Sequence, residues 1–205
     1  MDEAVAQVQL TRQQQQRARQ IVWPLLPALL RTAHYLTRHE QEAEDLAQET
    51  AIKAMRHIDS FKDGTDAKAW LMTILRRTHI DAVRASARQP TTLSLNDGER
   101  AIDLPAPSHA SNDDHLVVDN PQSLLERFDD EQMIEAIKGL TEDMRWALLL
   151  VDVEQLDQAS AAEVLGVPVG TIKSRVHRGR QALRERLLNT AYARGWISEP
   201  RGVES

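Results

Sequence analysis

The chain contains no cysteine, which excludes a disulfide framework, a thiolate metal site and a cysteine nucleophile, and fits a reducing compartment. No apolar run reaches the roughly 18 to 20 residues that cross a bilayer. Met1 to Leu10 lacks the cationic-then-apolar pattern of a secretory signal. These absences predict a cytoplasmic protein with no membrane insertion. Glycine numbers eight and aromatic residues make up 4% of the 205 positions, a scarcity that favours an all-α fold. A net charge of −6 argues against a chain that coats nucleic acid indiscriminately, but it leaves room for local contact where cations cluster. The length suits one domain or two small ones of about 75 residues each.

Helical spacing organises what is present. Residues 1–20, with Gln13 to Gln16 in a row, carry little apolar content and read as a frayed helix or N-terminal tail. Residues 21–89 read as a first helical domain. One helix starts at Pro24 with Leu26, Leu29, Leu30, Ala33 and Leu36 on its apolar side, a second runs from about Gln41 to Ile58, and a third from about Ala67 to Arg88. Residues 90–120 change character: prolines 90, 105 and 107, no aromatic residue, and six acids against Arg100. Such a stretch buries too little apolar surface to offset its ordering entropy, so it reads as a flexible acidic linker. A second helical domain covers 121–190, opened by Asn120 and Pro121 as N-cap and first helical residue, with helices ending near Gly139 and restarting at Thr141. Residues 191–205 form a C-terminal tail.

Three constellations carry the functional reading. In the second domain, Asp157 to Leu165 reads as a short helix, and Gly170 and Thr171 as the turn and N-cap of the next. At about 100° per residue, Ile172, Val176, Gly179, Leu183 and Leu187 share a core stripe while Ser174, His177, Arg178 and Gln181 point away. Six cations (Lys173, Arg175, Arg178, Arg180, Arg184, Arg186) face the single acid Glu185, the pattern of a helix-turn-helix reading a major groove. The competing reading is a solvated cationic face on an ordinary helix. In the second helix, Ala43, Leu46, Ala47, Thr50, Ala54 and Ile58 face inward. Glu42, Asp45, Glu49, Ile52 and Arg56 face outward, an acidic strip with an exposed isoleucine that suits a docking partner or, failing that, a solvated face eased by Glu49 with Lys53. In the third, Leu71, Ile74, Leu75, Thr78, Ala82 and Ala85 form the core stripe. Trp70, Arg77, Arg84 and Arg88 line the other side near Arg76, an aromatic plane among guanidiniums that suits opened nucleic acid; core burial is the other reading of Trp70. No carboxylate pair, nucleophile with a base, metal-ligand spacing or cofactor motif stands out, so no enzyme is expected.

Glu42-Ala-Glu-Asp-Leu-Ala-Gln-Glu-Thr50 resembles the "DAEDLVQET" helix of the extracytoplasmic-function sigma factors, members of the sigma-70 family. Ala69 to Arg76 with Ile80 to Arg84 resembles their "AWLxxIxxN…IDxxR" helix, and Gly166 to Arg180 their "GVPVGTVKSRLHRAR". The resemblance spans about residues 24 to 90 and 122 to 188. It implies a bacterial alternative sigma factor with core RNA polymerase and promoter DNA as partners and an anti-sigma factor as a candidate further one. Region 2 would dock on polymerase through Glu44, Asp45, Gln48 and Glu49 and capture minus-ten DNA with Trp70, Arg76, Arg77, Arg84 and Arg88. Region 4 would read minus-thirty-five DNA with Thr171, Lys173, Ser174, Arg175, His177, Arg178 and Arg180. The linker would thread a polymerase channel. Arg77 stands where the family usually has Asn, and Gln155, Gln158 and Ala161 where Gly, Tyr and Ile are usual. The alternative is a helix-turn-helix regulator that acts without replacing the polymerase's sigma subunit, a reading that leaves the 42–50 helix unexplained.

Overall fold

A computed structural model of the chain describes residues 10–37, 39–88 and 130–197, and every regular element among them is helical. Of the two readings of residues 1–20, a frayed helix or a tail, a helix forms: α1 (Arg12–Ile21), fixed by a capping box in which Thr11 Oγ1 accepts from the Gln14 N–H at 3.2 Å and Gln14 Oε1 accepts from the Thr11 N–H at 2.9 Å. Its further anchorage is long-range. Gln14 Nε2 donates to Asp59 at 2.6 Å, and Arg17 donates to the Phe61 carbonyl at 3.1 Å and to Asp63 at 2.9 Å, tying α1 to the 57–66 loop.

A 3-10 turn at Trp23–Leu25 leads into α2 (Leu26–Leu36), followed by α3 (Glu40–Arg56) and α4 (Ala67–Arg88). Glu40 and Glu42 in the first turn of α3 and Lys53 and Arg56 in its last complement the helix dipole. Asp66 Oδ1 opens α4 by accepting from the Lys68 and Ala69 N–H groups at 2.8 and 3.1 Å. The three helices bury Leu29, Ala33, Leu36, Ala43, Leu46, Ala54, Ile58, Leu71, Met72 and Leu75 in a common core. Two expectations fail here. Leu30 is exposed, and the α4 stripe buries Met72 and His79 while Ala82 and Ala85 are exposed, because α4, at 22 residues, outruns the 11 and 17 residues of its neighbours α2 and α3.

The second domain comprises α5 (Asp130–Lys138), α6 (Glu142–Leu148), α7 (Gln158–Leu165) and α8 (Val169–Ala193). The expected start at Asn120 and Pro121 lies outside the described residues. The α6 backbone continues through a π-helical stretch, Leu149–Val153, that places Leu149 and Leu150 in the core. Asp157 caps α7, its Oδ1 accepting from the Ser160 N–H at 2.7 Å, and that bond holds the carboxyl below its usual range. Gly166 ends α7 at φ 66°, and α8 then starts at Val169 behind Pro168. Gly170 and Thr171 therefore lie inside the first turn of α8. The reversal is made by Gly166 and Pro168, so Thr171 is not the N-cap. Farther along, Gly179 lets α8 close on α6: a Cβ there would meet Leu148 Cγ at 3.0 Å.

Gln155, where a glycine is usual in the family it resembles, sits at φ 57° in the left-handed region. That conformation costs a side-chain-bearing residue about 1–2 kcal/mol. Gln155→Gly should relieve it, partly offset by greater freedom of the unfolded chain, for a net gain of about 0.5 to 1 kcal/mol in urea unfolding. A variant less stable than the parent would show that the Gln155 Nε2 bond to the Asp152 carbonyl outweighs the backbone relief.

The two domains touch. Helix α7 lies on α4 and α5 on α2, so the core residues of one domain run into those of the other.

Candidate docking and nucleic-acid faces

The outward side of α3 presents Glu42, Glu44, Asp45, Gln48, Glu49, Ile52 and Arg56, all exposed, with Ile52 at 38%. Their inward counterparts Ala43, Leu46, Ala47, Thr50 and Ala54 are buried, and Thr50 Oγ1 returns its proton to the Leu46 carbonyl at 2.7 Å. Two contacts order this acidic face: Gln41 Nε2 donates to Asp45 at 3.3 Å, and Lys53 Nζ pairs with Glu49 at 2.7 Å, offsetting the charge of that one acid. Ile52 lies at the C-terminal end of this acidic strip, one turn from Glu49 on one side and Arg56 on the other, so the face offers a partner both carboxylates and an apolar contact.

Helix α4 carries the second face. Trp70 is half-buried, its ring meeting that of Phe61 edge-on with centroids 5.4 Å apart. It is thus anchored at one edge by the 57–66 loop. Arg77, Arg84 and Arg88 are exposed and Arg76 is partly so; no ion pair to any of the four forms among the described residues. Asp81 is the one acid of this helix, and Val83, at 53% exposure, lies among the arginines. Uncompensated guanidiniums beside apolar and aromatic surface can neutralise phosphates while a base stacks.

On α8 the expected core stripe is buried at Ile172, Val176, Gly179 and Leu187 and half-buried at Leu183. Lys173, Ser174, His177 and Arg178 are exposed, and Thr171 is half-buried. Ser174 Oγ donates to the Thr171 carbonyl at 3.0 Å, and Arg178 Nε leans back on the Ser174 carbonyl at 3.4 Å, which aims its terminal nitrogens outward. The other two cations of the group are held within the domain. Arg175 pairs with Asp143 at 2.6 Å with its side chain 18% exposed. Arg180 grips Asp152 through both Nε and Nη2 at 3.0 and 2.6 Å, and the hydrogen bonds and charge of that carboxylate raise its pKa further. Both bonds cross from α8 to the α6 segment, which residue spacing along one helix cannot reveal.

One buried charged residue escaped sequence reasoning altogether. Glu154, just past the Leu149–Val153 segment, is fully buried and bonded to the first domain. Asp152 and Gln155 beside it are polar, so the sequence carried no signal that set its burial apart. Among the described residues there is no group of three or more metal-ligating side chains, and no helix long and apolar enough to cross a membrane.

Residues 22–89 match the family model of sigma-70 region 2 and residues 130–183 that of sigma-70 region 4. The chain is 32% identical over 158 residues to the ECF RNA polymerase sigma factor SigE of Mycolicibacterium smegmatis, an overlap of 77% of this chain and 56% of that protein. It is 33% identical over 158 residues to the ECF RNA polymerase sigma factor EcfG of Rhodopseudomonas palustris, covering 77% of this chain and 78% of the relative. Among solved structures it is similar to the sigma factor RpoE of Bartonella quintana, determined in complex with the anti-sigma factor NepR. That match has a TM-score of 0.63 and 30% identity over 83% of this chain and 96% of the other.

Proposed function

Because the chain belongs to the extracytoplasmic-function sigma factors of the sigma-70 family, which direct core RNA polymerase to promoters, we propose a residue-level division of that task between its faces. Glu44, Asp45, Gln48 and Glu49, with Ile52 one turn beyond them, dock on core polymerase. Trp70, Arg76, Arg77, Arg84 and Arg88, beside the 57–66 loop, take the opened minus-ten strand. Lys173, Ser174, His177 and Arg178 enter the minus-thirty-five major groove, while Arg175 and Arg180 fix α8 to α6. Nucleotide addition is left to the polymerase, and promoter choice to this chain.

The observation that carries this reading is the acidic face of α3, with exposed Ile52 at its end, in the same chain as two cationic faces. A helix-turn-helix regulator needs the α8 face alone. Run-off transcription with purified bacterial core polymerase tests it: a promoter-directed product should form only when this chain is added. Duplex binding without any such product would favour the regulator.

A further inference from the structure

Helix α1 turns a largely polar side inward. Gln14, Arg17, Ala18 and Ile21 share the side that meets the domain; Ala18 is buried and the other three are half-buried. A helix that packs for stability alone places apolar residues at such positions. Here the two polar ones go to the 57–66 loop. Gln14 Nε2 donates to Asp59 Oδ2 at 2.6 Å, and a single nitrogen of Arg17, Nη2, donates to the Phe61 carbonyl at 3.1 Å and to Asp63 Oδ1 at 2.9 Å. Arg17 Nη1 lies 3.9 Å from Asp59 Oδ1.

The loop has two halves, each closed on itself. In the first, the Ser60 N–H and Oγ donate to the His57 carbonyl at 2.9 and 2.7 Å. In the second, the Thr65 N–H and Oγ1 donate to the Lys62 carbonyl at 3.2 and 2.7 Å. Phe61 joins them in extended backbone at φ −70° and ψ 125°. Its buried ring meets Trp70 edge-on and its carbonyl is held by Arg17, so α4 fixes one side of this joint and α1 the other. Through Asp59 and Asp63, Arg17 also reaches into each half.

The loop borders the face proposed for the opened minus-ten strand, and its own charge opposes that task. Residues 57–66 carry Asp59, Asp63 and Asp66 against Lys62. Asp66 is occupied in capping α4. Asp59 and Asp63 would repel a phosphate, and these are the two that Gln14 and Arg17 take. The Asp63 side chain is 84% exposed, and an ion pair so placed adds little to stability. Position rather than folding energy is what these bonds supply. Helix α1 also precedes residue 22, where the match to sigma-70 region 2 begins, so the tie comes from outside the matched segment.

We propose that α1, through Arg17 and Gln14, positions the 57–66 loop against Trp70 for capture of the opened minus-ten strand, so that Arg17 sets minus-ten base preference without touching DNA. The proposal rests on the sigma-factor reading above, and it makes Arg17 a positioning residue. Arg17→Ala should keep α1 helical, since alanine is the best helix former. Gln14→Glu is a second variant that preserves the capping box while setting a carboxylate against Asp59. The test is selection, by holoenzyme assembled from core polymerase and full-length chain, from templates randomised across the minus-ten element. Preference at the most selective position should fall about fivefold in both variants, equivalent to about 1 kcal/mol. Core affinity and preference at the upstream element should stay at the parent's values. Arg17→Lys should restore most of the loss, because one ammonium can serve both acceptors that Nη2 serves. Asp63→Ala should also lower the preference, yet add little to Arg17→Ala; losses that multiply would mean that Arg17 meets the DNA itself, and would overturn the positioning role. Undiminished minus-ten preference in the folded variants would overturn the proposal, as would a loss of core binding in step with it, which marks damage to the domain. A parent holoenzyme that makes no promoter-directed product would overturn the sigma-factor reading, a result distinct from the others.

Discussion

Reversing Asp45 and Glu49 to lysine together is expected to weaken binding to core polymerase about a hundredfold. Both carboxylates are exposed on one face of α3, a turn apart, with Ile52 exposed one turn beyond Glu49. Placing cations against a partner surface that fits carboxylates costs several kcal/mol, and each 1.4 kcal/mol is tenfold in affinity. The fold should be spared for two reasons. Two lysines four residues apart repel about as much as two acids do, and the Glu49–Lys53 pair lost in the exchange contributes only about 0.3–0.5 kcal/mol. Fluorescence anisotropy with labelled chain and core enzyme reads the affinity, and circular dichroism reads the helix. Parent-like binding in the double variant would remove α3 from the docking interface.

Arg178→Ala should cost about 1 to 3 kcal/mol in promoter binding and relax the preference at one base pair of the upstream element. Arg178 is central on the exposed side of α8, free of acids among the described residues, and its Nε rests on the Ser174 carbonyl so that the terminal nitrogens project. A guanidinium aimed in this way can donate two bonds to a guanine edge. Lys173, nearer the flank, should contact mainly phosphate, and Lys173→Ala should weaken all sequences alike. Selection from a template pool randomised across the upstream element, with polymerase carrying parent or variant, separates the two. An unaltered base preference after Arg178→Ala would mean that reader and clamp are exchanged.

The parts of this reading that sequence reached were those encoded in one helix at a time. The inward and outward sides of α3 follow from spacing alone, since alanines and Leu46 recur where the helix faces its neighbours. The same holds for Ile172, Val176 and Leu187 on α8. Relations between helices were not legible. Ala82 and Ala85 continue the α4 stripe in sequence but are exposed, because what they could pack against has already ended. Whether α1 was a frayed helix or a tail stayed open in sequence, because Asp59, Phe61 and Asp63, which give its polar side chains partners, lie more than 40 residues away. Glu154 reads as one more surface acid until Arg31 and Lys68 close over it. Arg175 and Arg180 share their spacing with Lys173 and Arg178, and only the positions of Asp143 and Asp152 show that they are ion-paired within the domain.

Those last two pairings bear on how the chain meets duplex DNA at different ionic strengths. Part of the drive for such binding is the release of counterions condensed on the phosphates, in proportion to the free cations the protein supplies. Arg180 arrives with Asp152 already on its guanidinium, and Arg175 arrives with Asp143. Of the six cations in its composition the helix thus keeps four without an acid partner among the described residues, Lys173, Arg178, Arg184 and Arg186. With α8 on duplex DNA as proposed, its grip should lose less as salt rises than six free cations would, and the balance of its binding energy should shift from indiscriminate attraction toward the base edges that distinguish one promoter from another.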